Sequence, residues 1–414
     1  MERDLVIIGG GPAGLAAAVA AYDAGVHDIV VIERESKPGG VLKQCIHNGF
    51  GLTRFKESMT GPEYAARFVK ETTARGIEIM TNTFVVDLSA DKTVTCRNES
   101  GVFTVRAKAV ILAMGCRERS KGALNIAGTR PAGLFSAGTA QKYVNIYGLL
   151  PGKRVVILGS GDIGLIMARR MTLEGAKVEC VCEIMPHSSG LRRNIVQCLD
   201  DFNIPLYLEH TVTEIHGKER VEGVTIMQVD GRQNPIEGTQ RYVPCDTVLF
   251  SVGLIPENEL TKKAGIMLDP RTKGAVVDGS RETQTEGIFA CGNVLHVHDL
   301  VDFVSEEAEI AGIGAAEYIR NGQLKKKYIP SVAGENVSYV LPQQVDAAAE
   351  KEQKIYFRVR SSFRNAVVQV QAGEYVKRLK KLAVAPGEME NVLLPAGVLG
   401  SAKEVRIDVL RAEE

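Results

Sequence analysis

One segment of this chain occurs twice, and no other feature constrains its fold as much. Residues 5–33 read LVIIGGGPAGLAAAVAAYDAGVHDIVVIE, and residues 155–183 read VVILGSGDIGLIMARRMTLEGAKVECVCE. Gly9, Gly11, Gly14, Leu15, Gly25 and Glu33 recur 150 positions later as Gly159, Gly161, Gly164, Leu165, Gly175 and Glu183. Each copy reads as an apolar strand, a G-x-G-x-x-G turn, a helix, a glycine turn and a second strand ending in an acid. Glycine makes up 42 of the 414 residues, so a single G-x-G-x-x-G would be weak evidence. Two copies in full strand–helix–strand context, with the acid in phase in both, are strong evidence for a duplicated dinucleotide-binding unit.

The spacing has a chemical reason. The first glycine permits a tight turn off the strand, the second lets backbone approach a pyrophosphate, and the third lets helix pack on strand. The anion then faces unpaired N–H groups at the positive end of the helix. The predicted contacts are Gly9, Gly11, Pro12, Ala13 and Gly14 in the first copy, and Gly159, Gly161, Asp162, Ile163 and Gly164 in the second. Glu33, with Arg34 beside it, and Glu183 close the second strands, where a carboxylate accepts hydrogen bonds from an adenosine ribose. Glu183 would repel a 2′-phosphate, which favours NAD(H) over NADP(H). Arg192 and Arg193 follow closely enough to soften that preference.

Composition narrows the class. Acids and bases number 50 each, giving a formal net charge of zero. That balance argues against a general nucleic-acid or anionic-membrane binder. The apolar run from Leu5 to Ala21 superficially resembles a signal peptide, but three consecutive glycines and a proline interrupt it. No run approaches the ~20 apolar residues of a membrane span, and the chain is read as cytoplasmic. Eight cysteines are scattered with no C-x-x-C and no zinc pattern, so free thiols and no metal site are expected. Cys180 and Cys182 are expected to point to opposite faces of a strand, which makes a disulfide or shared metal site there improbable.

Further segments carry a family resemblance. Gly39 and Gly40 follow Glu33 as a second glycine pair, residues 40–44 (GVLKQ) lead to 48–50 (NGF), residues 110–115 read VILAMG, residues 248–253 read VLFSVG, and residues 287–293 read GIFACGN. Over about residues 1–325 the chain resembles the two-dinucleotide-binding-domain flavoproteins, in thioredoxin-reductase-like arrangement. The resemblance implies FAD on the first motif, with contacts from Gly40, Gln44, Ala113, Gly115, Gly292 and Asn293, and NAD(H) on the second, with Gly253 added. Relatives carry Asp where this chain has Asn293; an amide still hydrogen-bonds a ribityl chain. The helix over about residues 305–321 would aim its N-terminus at the flavin, with Ala308, Ala311, Ala315 and Ile319 on its buried face.

The implied fold class is α/β: two Rossmann-like three-layer ββα nucleotide-binding domains plus a small C-terminal all-β domain. The FAD domain would be discontinuous, residues 1–120 with 280–325, and the NAD domain would occupy 121–279. Strand-rich meanders are expected over about 78–110 and 211–250. After a charged linker from Lys325, Lys326 and Lys327 to Pro330, short strands divided by Gly or Pro predict a β-sandwich over 330–414, suited to docking a partner or dimer mate.

Missing cysteines shape the function. Thioredoxin reductases carry a C-x-x-C in the segment matching residues 134–141, which has no cysteine here, and the loop after Gly40 holds Cys45 alone. A disulfide relay needs two sulfurs, so thioredoxin reductase activity is rejected. Cys45, His47, His296 and His298 remain as candidates for an acceptor site or a functional polar cluster, with Cys45 open to a role as a redox thiol or sulfenate and the histidines to a metal on a weak signal; structural roles, packing for Cys45 and hydrogen bonding for the histidines, are the alternative.

The segments GGVLKQCIHNGFG, TGPEYAARF and CGNVLHVHDLVDFVSEE, with the β-rich tail, resemble a narrower bacterial group. Its members are FAD/NAD oxidoreductases associated with anaerobic glycerol-3-phosphate-dehydrogenase-like flavoproteins, related to FAD/NAD subunits of dye-linked amino-acid dehydrogenases. This implies hydride exchange between NADH and FAD, and electron transfer to or from a partner dehydrogenase or electron-carrier protein. The alternatives are a stand-alone NADH oxidase or small-acceptor reductase, and a non-catalytic flavin-binding subunit. A homo-oligomer is compatible with either.

Overall fold

The computed structural model describes residues 1–323 and 326–411. It divides into two compact units: unit 1 is Met1–Cys116 with the chain from Pro256 onward, and unit 2 is Arg117–Ile255. Lys325, part of the expected linker, lies outside the described residues.

Unit 1 begins with the first repeat: strand β1 (Glu2–Ile8), helix α1 (Pro12–Asp23) and strand β2 (Ile29–Ile32). Helix α2 (Gly61–Ala74) follows, started by a capping box in which Thr60 and Glu63 exchange hydrogen bonds. Strands β3 (Glu78–Met80), β4 (Phe84–Leu88), β5 (Thr93–Asn98) and β6 (Gly101–Leu112) complete the N-terminal part. The sheet order is β3-β2-β1-β6-β5-β4, parallel at β3-β2-β1-β6 and antiparallel through the β4–β6 meander. Strand alternation sorts the two faces. Leu5, Ile7, Ile29 and Val31 pack against the helices, whereas Val6, Ile8, Val30 and Ile32 pack with Val85, Leu88 and Val94 of the meander.

Unit 2 repeats the plan. It contains β7 (Leu134–Ser136), α3 (Ala137–Tyr147), β8 (Arg154–Leu158), α4 (Asp162–Leu173), β9 (Lys177–Glu183), α5 (Arg192–Cys198) and β10 (Leu206–Leu208). The strands β11 (His210–His216), β12 (Gly223–Gln228) and β13 (Arg241–Pro244) form an antiparallel layer, and β14 (Thr247–Phe250) returns to the parallel sheet. The parallel order is β7-β14-β8-β9-β10. Cys180 and Cys182 correct the sequence expectation. Residues two apart on a strand share a face, so both thiols enter the same core, with sulfurs 4.0 Å apart.

The return to unit 1 comes earlier than expected. Helix α6 (Glu259–Lys263) and the bridged segment after it bury Ala264, Ile266, Ala275 and Val277 against the β4–β6 meander. Residues 256–279 therefore belong to unit 1, not to unit 2, which the sequence reading extends to residue 279: their apolar side chains complete the core of the first sheet. Strand β15 (Ile288–Ala290) pairs parallel with β6, and α7 (Val301–Asn321) packs along α1. Alanines allow close approach there; a Cβ on Gly312 would lie 2.4 Å from the Ala17 carbonyl oxygen. Helix α7 begins four residues before the expected start, and Ala308, Ala311 and Ala315 are fully buried.

The C-terminal part is a β-sandwich. It comprises β16 (Tyr328–Ala333), β17 (Val337–Leu341), β18 (Gln344–Asp346), β19 (Gln353–Val359), β20 (Phe363–Ala372), β21 (Tyr375–Val384), β22 (Glu390–Leu394) and β23 (Val405–Arg411). A five-stranded sheet β18-β16-β23-β20-β21 faces a three-stranded sheet β17-β19-β22 across a separate apolar core. The end of the expected linker is strand β16, because Ile329 reaches that core and its backbone pairs with β18. Among the described residues no helix is long and apolar enough to cross a membrane.

Candidate functional site

The two glycine turns are built alike. Gly9 and Gly159 adopt positive φ of 111° and 97°. A Cβ would lie 2.4 Å from the Ala113 oxygen in one copy and 2.1 Å from the Ser251 oxygen in the other. Only a residue without a side chain lets these turns touch β6 and β14 so closely. Gly14 and Gly164 meet the carbonyls of Gly9 and Gly159 in the same way.

The acids are also alike. Glu33 is buried and accepts from the Gly10 amide at 2.9 Å and the Glu35 amide at 2.8 Å. Glu183 is buried and accepts from the Ser160 amide and the Met185 amide, both at 3.0 Å, and from the Ser160 hydroxyl at 2.6 Å. A carboxylate has about four acceptor positions, so each keeps capacity for a ribose hydroxyl.

The first turn fits a pyrophosphate. Helix α1 has no side-chain cap, and Pro12 occupies its first position. Gly11 faces Gly40 across bare backbone: a Cβ on Gly11 would sit 3.7 Å from the Gly40 Cα, and one on Gly40 would sit 3.0 Å from the Gly11 Cα. The Gly39 amide donates to the Gly10 carbonyl at 2.7 Å, which holds the two glycine segments together. The result is a cradle free of side chains over an uncapped helix N-terminus. Gln44 ends the short 3-10 turn that starts at Gly40, and Arg34 is exposed. Ala113 and Gly115 follow the end of β6, with Gly115 at φ 72°.

The second turn differs in one respect. Asp162 at the start of α4 accepts from the Leu191 amide at 2.8 Å and the Asn194 side chain at 2.7 Å. The Ser188 hydroxyl donates to the Ser160 carbonyl at 3.0 Å. Asp162 thus fixes the loop that follows Glu183 against the turn. Ile163 is half-buried against the helix-side core, Gly253 has open space around it, and Arg192 and Arg193 are exposed.

Gly292 and Asn293 follow strand β15 and lie beside the first turn. A Cβ on Gly292 would come 2.8 Å from the Ala13 Cβ, so this segment lies directly against the start of α1. The Asn293 side chain accepts from the His298 amide at 3.0 Å and faces the Cys116 sulfur at 3.7 Å. The loop of His47 is tied to the same end of α7: Asp302 accepts from the Gly51 amide at 3.1 Å and the Thr53 amide at 2.8 Å. His47 itself stacks near Phe50, with ring centroids 4.9 Å apart. Cys45 donates to the Val41 carbonyl, and burial pushes its thiol up to about 12. It is therefore held as a thiol, not as the nucleophilic thiolate.

His296 and His298 meet at a residue that the sequence did not single out. Glu307, fully buried on α7, accepts from His296 Nε2 at 3.2 Å, His298 Nε2 at 3.0 Å, Arg281 Nε at 3.2 Å and the Gly292 amide at 3.0 Å. One signal was available: Glu307, Ala311 and Ala315 share one helix face at intervals of four, and the alanines are core. Arg281 offered none; it is buried and has a positive φ of 68°. Burial alone would raise the Glu307 carboxyl, but His296 and His298 hold it well below the usual carboxylate range. Burial lowers His296 to about 4, against the opposing pull of Glu307.

Two histidines and a carboxylate within 4.8 Å have the composition of a metal site. The charges argue for a hydrogen-bonded cluster instead. Arg281 and Glu307 already cancel, so a divalent ion would leave a fully buried double positive charge. All the acceptor positions of Glu307 are also in use. His298 Nδ1 and Arg281 Nη2 are buried with no hydrogen-bond partner among the described residues.

Comparison with known proteins agrees with this geometry. The family model "Pyridine nucleotide-disulphide oxidoreductase" matches residues 3–311. The glutamate synthase [NADPH] small chain of Escherichia coli is 28% identical over 77% of this chain and 69% of its own length. An opine oxidase subunit from Agrobacterium tumefaciens is 26% identical over 76% of this chain; the match spans 63% of that protein, less than two thirds. The crystal structure of T. acidophilum thioredoxin reductase superposes with a TM-score of 0.64 and 26% identity, covering 76% of this chain and 98% of that one.

Proposed function

From the premise that this chain belongs to the pyridine nucleotide-disulphide oxidoreductase family, an FAD- and NAD(P)-dependent class, we propose that it binds FAD at the Gly9 turn and NADH at the Gly159 turn, and exchanges electrons with a separate protein. The observation that carries this is the duplicated turn: two glycine corners and two buried acids, Glu33 and Glu183, bonded alike. Bound FAD supplies the hydride-accepting centre.

The chain's own residues do the binding and orientation. Gly11 and Gly40 admit the pyrophosphate, and the N-terminus of α1 neutralises it. Glu33 and Glu183 receive ribose hydroxyls. Glu183 stands where a 2′-phosphate would bring like charge into a buried site, which favours NADH. No general acid is required for hydride exchange; proximity and orientation suffice.

An acceptor outside this chain is supported by its cysteines. The flavin-side loop has Cys45 alone, held as a thiol, and residues 134–141 have none. Two of the similar proteins are named as parts of larger enzymes, one a small chain and the other a subunit. Their names are consistent with work beside a partner dehydrogenase. The resemblance to oxidoreductases associated with glycerol-3-phosphate-dehydrogenase-like flavoproteins points to that partner class.

Anaerobic titration of the purified, FAD-loaded chain with NADH and separately with NADPH tests the reading at the flavin band near ~450 nm. Rapid bleaching by NADH with a weak response to NADPH is expected. A yellow protein that neither nucleotide bleaches overturns it.

A further inference from the structure

We infer that Arg358, in the C-terminal sandwich, is a positioning residue for Gly292 and Asn293, and that it acts through Tyr339 and His296. The inference rests on the reading above that these two residues border the FAD site.

The contacts form a continuous path within unit 1. Arg358 Nε donates to the Tyr339 hydroxyl oxygen at 3.3 Å. A guanidinium has no acceptor, so the phenol accepts there and its own proton is left for His296 Nδ1, 3.4 Å away. That assigns His296 the tautomer with its proton on Nε2, which points at Glu307 Oε1, 3.2 Å away. The other oxygen of Glu307 accepts from the Gly292 amide at 3.0 Å. With the opposite tautomer, two lone pairs would face each other in a fully buried site.

The same guanidinium holds the intervening loop. Its Nη2 donates to the Val297 carbonyl at 3.0 Å and to the Asp299 carboxylate, and the Met389 amide donates to Asp299 at 2.6 Å. Nη1 is occupied by the Pro386 carbonyl at 3.0 Å. A simple ion pair would account for Asp299 alone. Arg358 and Asp299 are only 16% and 18% exposed, and the fork also engages two carbonyls and a phenol. The sandwich thereby holds in place the segment that lies against α1, and its phenol partners the His296 nitrogen that Glu307 leaves unprotonated.

The test uses the full-length, FAD-loaded chain and its Tyr339→Phe, Arg358→Met and Arg358→Lys variants. Nitrogen-15 NMR of labelled histidine reads the hydrogen-bonded state of His296 Nδ1, and titration of the apoprotein reads the FAD dissociation constant. Tyr339→Phe and Arg358→Met are expected to shift the Nδ1 resonance, because Nδ1 loses its fixed donor while Glu307 keeps the proton on Nε2, and to weaken FAD binding about tenfold. Arg358→Lys should fail to restore the resonance, since an ammonium cannot reproduce the fork. Should Arg358→Met not fold, Tyr339→Phe, which removes one oxygen, decides the matter. An unchanged Nδ1 resonance, or a shifted one with unchanged FAD affinity, overturns the inference. Gly11→Val separates the two readings: FAD retained by that variant overturns the site assignment, whereas FAD lost there and unaffected in Tyr339→Phe overturns only the role of Arg358.

Discussion

The Ser160 hydroxyl donates to the Glu183 carboxylate at 2.6 Å, while the equivalent pair in the first repeat, Gly10 and Glu33, has only the backbone bond. The second carboxylate is therefore more firmly held. It cannot swing away easily from an incoming 2′-phosphate. Glu183→Gln removes the charge and keeps the shape. The ratio of NADPH to NADH efficiency in flavin reduction should rise roughly tenfold, the effect of about one opposed buried charge. An unchanged ratio would remove Glu183 from coenzyme choice.

Gly159→Ala should separate the two nucleotide sites. The added methyl would sit 2.1 Å from the Ser251 oxygen at a φ of 97°, a strained position costing ~1–3 kcal/mol before any clash. Nothing in the Gly9 turn changes. The variant should purify yellow, lose NADH-driven bleaching by at least tenfold, and show a lower unfolding midpoint. Wild-type bleaching would contradict the pyrophosphate role of this turn.

Acid should destabilise the fold through His296. Its pKa is about 4 when folded and 6.5 as the ordinary value. Between these the unfolded chain binds the extra proton, so stability is present above pH 6.5 and is lost as pH falls toward 4. The full loss is roughly 3 kcal/mol at about 1.4 kcal/mol per pH unit. Glu307, also depressed, extends the loss to lower pH. Thermal midpoints measured from pH 7 to 4 should fall less steeply in His296→Gln than in wild type; equal slopes would count against this origin.

Cys45 should be dispensable for hydride transfer. With its thiol pushed up to about 12, almost no thiolate is present at neutral pH. Cys45→Ala should reduce flavin with NADH within about twofold of wild type, and iodoacetamide should label Cys45 slowly at pH 8. Fast labelling, or a large rate loss in the alanine variant, would restore a redox role for this sulfur.

Much of the architecture was legible in local pattern. Both glycine turns, both acids, the α7 alanine face and most strands of the sandwich follow from periodicity and from residues that only certain backbone geometries accept. The exceptions have physical causes. Strand β16 was hidden because its pairing with β18 and β23 is non-local, and Lys326 and Lys327 before it suggested a linker. Residues 256–279 were assigned to the wrong unit because composition does not reveal which core Ala264 and Ile266 enter. The histidines were singled out, but their common partner was not.

By itself the sequence determined that two alike glycine turns exist, where they lie and which acid closes each, because backbone sterics and strand or helix period act over a few residues. Only the tertiary structure decided that Arg281, His296, His298 and Glu307 share one carboxylate, and that Arg358 reaches their loop from the sandwich. Those contacts join positions far apart in the chain, and burial, which follows from the completed packing, gives them their electrostatic weight.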